Sequence, residues 1–337
     1  MQMGFKDGWK ITVIQKKRHH YIPIAYLDRF TDFSDRVFAY RKDDARTPLH
    51  VRPNEIAFER YYYSQPLPDG GRDNNRLEDF FGTYESSWPD LVYRLQTRSN
   101  LAADFAALLG FMIVMRVRVP ATRDMVELLL AEQVKLQTRS LDKRGLLPPK
   151  PAGHEDILDH MSVSIDPCKS LEAMPSLGQG FARVLSCMEF EVLHNETDIS
   201  ILTSDNPVIC FNPHVPETDV LPYQIVPPNG PMELIFPVSP TLIVRGRAGQ
   251  SSLRHNVLVD NRPVERINRF VSRFGYRFVF AADRSHDAII ETNARNSPVP
   301  DFAQMQSQKG EGVQVRWVFG TRPMKPKWVA PSGERAA

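Results

Sequence analysis

Two kinds of apolar periodicity occupy different stretches of this chain, and their order limits the folds open to it. From about Arg76 to Arg98, Leu101 to Val119 and Ala121 to Leu141, apolar residues recur at helical spacing, with Pro120 separating the last two tracts. After about residue 198 they come in short β-rich runs punctuated by Pro and Gly: "DISILTSDNPVICF", "MELIFPVSPTLIVRG" and "YRFVFAAD". One helical pattern, at roughly 257 to 273, sits between the last two runs. Helices first and strands later predict an α+β fold rather than a doubly wound sheet. The expected architecture is a helix-rich N-terminal half packed on a mixed or antiparallel sheet built mainly from the C-terminal half.

Shorter signals fill in the rest. "PIAYLDRF" predicts a helix entered at Pro23, and "RVFAYRKDDARTPLHVR" a hairpin turning at DDAR. "PNEIAFERYYYS" predicts a short helix with Asn54 as its cap, and helical pattern resumes around 154–161 and 177–193. "VQVRWVFG" is a last strand candidate in a polar tail. The expected division is an extension over 1–15, one α+β domain over 16–290, and a C-terminal strand and tail over 291–337.

Composition narrows the class. At 337 residues, 42% apolar and 24% charged, the chain has the makings of a globular core. A net charge of +2 argues against a surface coated in nucleic acid, while leaving room for a local basic patch. Cys168, Cys187 and Cys210 form no CxxC pair and are odd in number, which points to a reduced, cytoplasmic setting. The start of the chain has no apolar h-region, so no secretory signal is expected. The longest uncharged apolar stretch, "FAALLGFMIVM", is too short for a bilayer, so no membrane partner is expected.

Four places carry candidate chemistry. His19 and His20 sit at an element boundary, where one could be a metal ligand or general base and the other orient it. The alternative is a helix cap with an exposed neighbour, a common place for histidine. In "TSDNPV" an apolar strand delivers Ser204, Asp205 and Asn206 at its end, either as ligands for a cation or polar substrate, or as a self-satisfied Asx turn. Glu78 and Glu85 are seven residues apart and share a helix face, as cleft carboxylates or as a solvated flank. In "MRVRVPATRD", Arg116 and Arg123 flank Pro120. A buried Arg116 needs a carboxylate or a bound anion.

These pieces, in the order "KRHHYIPIAYLDRF", "LEDFFGTYE", "RVRVPATR", "TSDNPV" and "FPVSP", resemble a bacterial family of domains of unknown function, family 4238. The match runs from about residue 16 to 285. The resemblance implies membership without assigning a reaction. It raises the weight on His19, His20, Glu78, Glu85, Arg116, Ser204, Asp205 and Asn206 as one polar pocket.

"HHYIP" is also similar to the HH-x-I-P opening of some His-Asn-His nucleases, with Asn54 as the middle asparagine, although no helix-borne histidine follows at the usual distance. The leading expectation is a metal-dependent hydrolase cutting phosphodiesters, with nucleic acid as a partner. His19, His20, Arg116 and Asp205 would be catalytic, while Ser204, Asn206, Arg123 and Tyr26 would bind substrate. His20, Glu78, Glu85 and Asp205 would hold one divalent metal ion. The other expectation is a non-catalytic ligand-sensing or protein-binding module, in which the same residues form a structural network.

Overall fold

A computed structural model describes residues 15–99, 104–158, 160, 162–220, 230–250 and 252–294, together with the backbone of 296–309 and 312–323. The first half opens with β1 (Arg18–His20), α1 (Ile24–Leu27), β2 (Val37–Arg41), β3 (Asp44–Val51), β4 (Phe58–Arg60), β5 (Gln65–Pro66) and β6 (Arg72–Asp73). It continues with α2 (Arg76–Glu85), α3 (Trp88–Gln96), α4 (Phe105–Arg118), α5 (Pro120–Lys143) and α6 (Pro167–Leu185). The second half holds β7 (Met188–Asn195), β8 (Thr203–Ser204), β9 (Ile209–Phe211), β10 (Glu233–Ser239), β11 (Leu242–Ala248) and β12 (Ser252–Leu258). After it come α7 (Asn261–Phe274), β13 (Phe278–Ala281), α8 (Asp287–Asn293), β14 (Asn296–Lys309) and β15 (Gly312–Pro323).

The fold is α+β: helices are mostly N-terminal, while strands span the chain. One sheet runs β12-β7-β11-β10-β9, antiparallel except for the parallel β12–β7 pair. A second runs β3-β2-β13-β8, so the N-terminal hairpin is completed by strands from the far end of the chain. Period-two alternation splits the first sheet between two cores. Phe190, Val192, Leu234, Phe236 and Val244 face the core shared with α2, α3, α4 and α6. Leu193, Ile209, Ile235 and Ile243 face the one shared with α7 and α8.

Local chemistry sets the element ends. α4 is apolar around most of its circumference and is accordingly buried at Phe111, Met112 and from Val114 to Arg118. Val119 is extended ahead of Pro120, as the residue before a proline prefers, and Pro120 then starts α5 at a 54° bend. Asp166 caps α6 by accepting the Cys168 N–H at 2.9 Å. Among the described residues, no single helix is long and apolar enough to cross a membrane.

Several local expectations are corrected. The segment from Pro53 forms one 3₁₀ turn, Pro53–Glu55, then becomes β4, because pairing with β1 supplies the backbone partners a helix would have used. The 177–193 pattern divides: α6 starts earlier, at Pro167, and ends at Leu185, after which Met188, Phe190 and Val192 alternate as β7 between β11 and β12. The described residues from Glu155 to Leu158 form turns, not a helix. The hairpin turns at Lys42–Asp43, ahead of the expected position, with Arg41 already paired to Asp44.

Candidate functional site

Adjacent residues on a strand face opposite ways, and β1 separates the two histidines accordingly. His19 is fully buried. Its Nδ1 accepts the Tyr63 N–H at 2.8 Å, which leaves Nε2–H to donate to the Lys16 carbonyl at 3.2 Å. Tyr63 stacks on its ring at 5.6 Å. Burial lowers its pKa and keeps it neutral. With both nitrogens engaged in the frame, His19 is a structural residue, not a ligand. His20 is half-buried against Phe58, its Nε2 3.4 Å from the backbone carbonyl of Asn54. The Asn54 amide is therefore not the group that meets it. Burial lowers this pKa too.

Arg118 is the node of this region. It closes α4 with its side chain 1% exposed, and donates to Glu85 and to the His20 carbonyl. Its guanidinium lies 4.3 Å from the Phe81 ring centroid and 5.7 Å from that of Tyr63. The Tyr63 hydroxyl donates to the Arg118 carbonyl at 3.0 Å. Glu78 sits two helical turns before Glu85 on α2, with Oε1 buried and without a hydrogen-bond partner. Burial pushes its carboxyl up to about 7, against the opposing pull of Arg118. Arg118 thus joins Glu85 to the His20 carbonyl, with Glu78 two turns earlier on the same helix.

The arginine expected there was Arg116. Arg116 and Arg118 are about 200° apart around an α-helix, and it is Arg118 that faces β1. Arg116 is buried and donates to the Thr122 hydroxyl at 3.0 Å, while that hydroxyl donates to the Arg116 carbonyl at 2.6 Å. Arg123 donates to Ser170 Oγ at 3.0 Å and to the carbonyls of Tyr62 at 2.7 Å and Pro167 at 2.9 Å. It ties α5 to α6 and to the segment after β4.

Asp205 is 0% exposed and works as a backbone staple. Oδ1 accepts the Tyr276 N–H at 2.7 Å and Oδ2 the Arg277 N–H at 2.8 Å. Asn206 donates from Nδ2 to the Phe274 carbonyl at 2.8 Å, and its own N–H goes to Ser204 Oγ at 3.2 Å. This set closes the corner between α7 and β13. Lys42 covers the same helix end, its Nζ donating to the carbonyls of Ser272 at 2.6 Å and Arg273 at 2.9 Å. Tyr26 is a core tie as well: its hydroxyl meets Thr203 Oγ1 and the Pro237 carbonyl, each at 2.7 Å.

The two networks approach the β1–β4 ladder separately. Arg277 pairs with Glu59, which sits opposite His19 in the ladder, and the Tyr276 hydroxyl donates to Asp124 on α5. They do not merge into one donor set. Among the described residues, no three His, Cys, Asp or Glu side chains are grouped to hold a metal ion. Asp205 already holds two backbone N–H groups with its two oxygens, so the set His20, Glu78, Glu85 and Asp205 does not fit a divalent ion.

A feature missed in the sequence lies along the adjoining face of α2, with Phe81 at the boundary. A cavity of about 570 Å³ opens between α2, α4 and α6. Leu77, Phe80, Phe81 and Tyr84 form one wall, and Ile113, Val117 and Met174 contribute to the others. Gly110, Gly178 and Pro175 also line it. Those three residues inside helices were the readable signal, since each is an unfavourable choice for a helix interior.

No curated protein and no solved structure matches the chain. The family model described as "Protein of unknown function (DUF4238)" matches residues 18–285, and over that span the chain carries both the β1 network and the α7–β13 corner. The chain belongs to the DUF4238 family.

Proposed function

We propose that this chain is a ligand-binding module, with the cavity between α2, α4 and α6 as its site and the buried polar motifs as its frame. The cavity carries the reading. Its volume of about 570 Å³ is that of a small-molecule site, and its lining is mostly apolar with a few polar groups at the edge. The burial and pairing of His19, Arg118 and Asp205 support a structural part for the motifs. The test is titration with 1-anilinonaphthalene-8-sulfonate, followed by its fluorescence. Saturable one-to-one binding is expected in the wild type and its loss in Gly178→Leu, which places a side chain in the cavity. Absent binding, or binding unchanged in the variant, would overturn the module.

One observation favours a second reading, hydrolysis at the patch of His20, Glu78 and Glu85. Glu78 has a buried oxygen with no partner and a carboxyl held at about 7, and it shares α2 with Glu85, which pairs with Arg118. A carboxyl of this kind is suited to proton transfer near neutral pH. Arg118 is committed to Glu85 and His20, so a phosphodiester would need its anion held by other groups. Cleavage of bis(4-nitrophenyl) phosphate, with and without added Mn²⁺, should be abolished by Glu78→Gln on this reading. No turnover by the wild type in either condition would retire phosphodiester cleavage.

A further inference from the structure

The geometry of the cavity points to its ligand class. We propose that it takes a flat aromatic molecule bearing one hydrogen-bond donor, and that the donor is met by the backbone carbonyl of Leu171. This deepens the binding reading above and rests on it.

The walls set the shape. Phe80, Phe81 and Tyr84 make an aromatic face, with Phe80 and Tyr84 edge to face at 5.5 Å. Gly178 lines the cavity without a side chain and leaves helix backbone open there, while Gly110 admits the Tyr84 ring against α4. A Cβ on Gly110 would lie 2.8 Å from the Tyr84 ring, so the aromatic wall sits directly on α4. A planar ring system fills such a slot with stacking and edge contacts, which a branched aliphatic group does not make as well.

Pro175 supplies the polar feature. It lies inside α6 and has no N–H to return to the carbonyl of Leu171, four residues earlier. The bond between residues i and i+4 runs along the face those residues share. Leu171 and Pro175 both line the cavity, so the carbonyl lacking its helical donor lies on the cavity side. An acceptor beside apolar walls is costly to leave unmet, and a ligand N–H or O–H placed there removes that cost. Gln65, Arg76 and Gln179 line the site as well and would bear on any further polar substituent.

The test uses the full chain with 2-naphthol and its donor-less counterpart 2-methylnaphthalene, with affinities from calorimetry. Wild type should prefer 2-naphthol by roughly five- to tenfold, the range of one net hydrogen bond. Pro175→Ala restores the helical N–H, should keep the fold, and should erase the preference of 2-naphthol over 2-methylnaphthalene, which is read as the ratio of the two affinities within each variant. Gly178→Leu should remove both ligands; an added Cβ there meets Ile113 at 3.4 Å, an ordinary contact. Equal affinities for the two ligands in wild type, or a preference that survives Pro175→Ala, would overturn the donor class while leaving the cavity as a binding site. Failure of both ligands to bind wild type, or their undiminished binding to Gly178→Leu, would overturn the cavity reading itself. A dimer in wild type that Gly178→Leu dissociates would assign the cavity to a second copy of the chain, and would also overturn the proposal.

Discussion

Replacing Asp205 by Asn changes two atoms' worth of chemistry at a site with no solvent. The carboxylate accepts the N–H groups of Tyr276 and Arg277 at 2.7 and 2.8 Å. Asn offers one oxygen, so one N–H keeps a neutral acceptor and the other faces an NH₂ group. Loss of a hydrogen bond to a charged acceptor is worth about 1.5–3 kcal/mol, and a buried unmet donor costs about 1–3 kcal/mol more. Against this, the substitution removes a buried charge whose desolvation raises the Asp205 pKa, which offsets part of the loss. The net expectation is a destabilisation of about 2–4 kcal/mol, a large share of the roughly 5–15 kcal/mol typical of a folded domain. Urea unfolding followed by circular dichroism measures it as a shift in midpoint at unchanged slope. Asp205→Ala, which strands both N–H groups, should cost at least as much. A change below about 0.5 kcal/mol in Asp205→Asn would refute the staple and return the carboxylate to the groups kept for chemistry.

Arg118→Ala should destabilise the fold by about 3–5 kcal/mol, because Glu85, the His20 carbonyl and two ring faces lose one shared partner. Arg118→Met, which keeps much of the volume, should recover part of that loss in the same urea assay, and equal losses would show that the charge alone matters. For Glu78 the folded pKa of about 7 lies above the ordinary 4.5. Its contribution to stability is therefore present below 4.5 and is lost as pH rises through about 7. Stability measured across that window should fall more steeply in wild type than in Glu78→Gln, by about 1–2 kcal/mol after allowing for partial exposure. Parallel curves would refute the buried carboxyl.

Much of the α+β division could be read from the chain alone, because it follows from local rules. α4 and α5 are recognisable by apolar period and by Pro120. β10, β11 and β13 are short β-rich runs, and α7 falls within a few residues of its expected span. The misplaced elements are those in which partners far along the chain overrode the local pattern. The Pro53 segment leads into a strand because β1 lies beside it, and Met188–Asn195 is a strand because β11 and β12 flank it.

The polar residues divide in the same way. Residue type and motif singled out the histidines, the α2 glutamates and the Ser-Asp-Asn run as candidates, with a structural alternative open for each. Which of them meet was not visible there. His19 and His20 are neighbours in sequence, yet strand alternation gives them different surroundings, and Asp205 finds its partners about seventy residues later at the α7–β13 corner. Arg116 and Arg118 look interchangeable in a basic, apolar tract, and only the rotation of α4 against β1 selects Arg118. The cavity belongs wholly to the tertiary level. Sequence determined the glycines, the internal proline and the aromatic stripe, since these are properties of single residues. The packing of α2, α4 and α6 decided that they line one space, because an empty volume is a relation among helices that no one segment encodes.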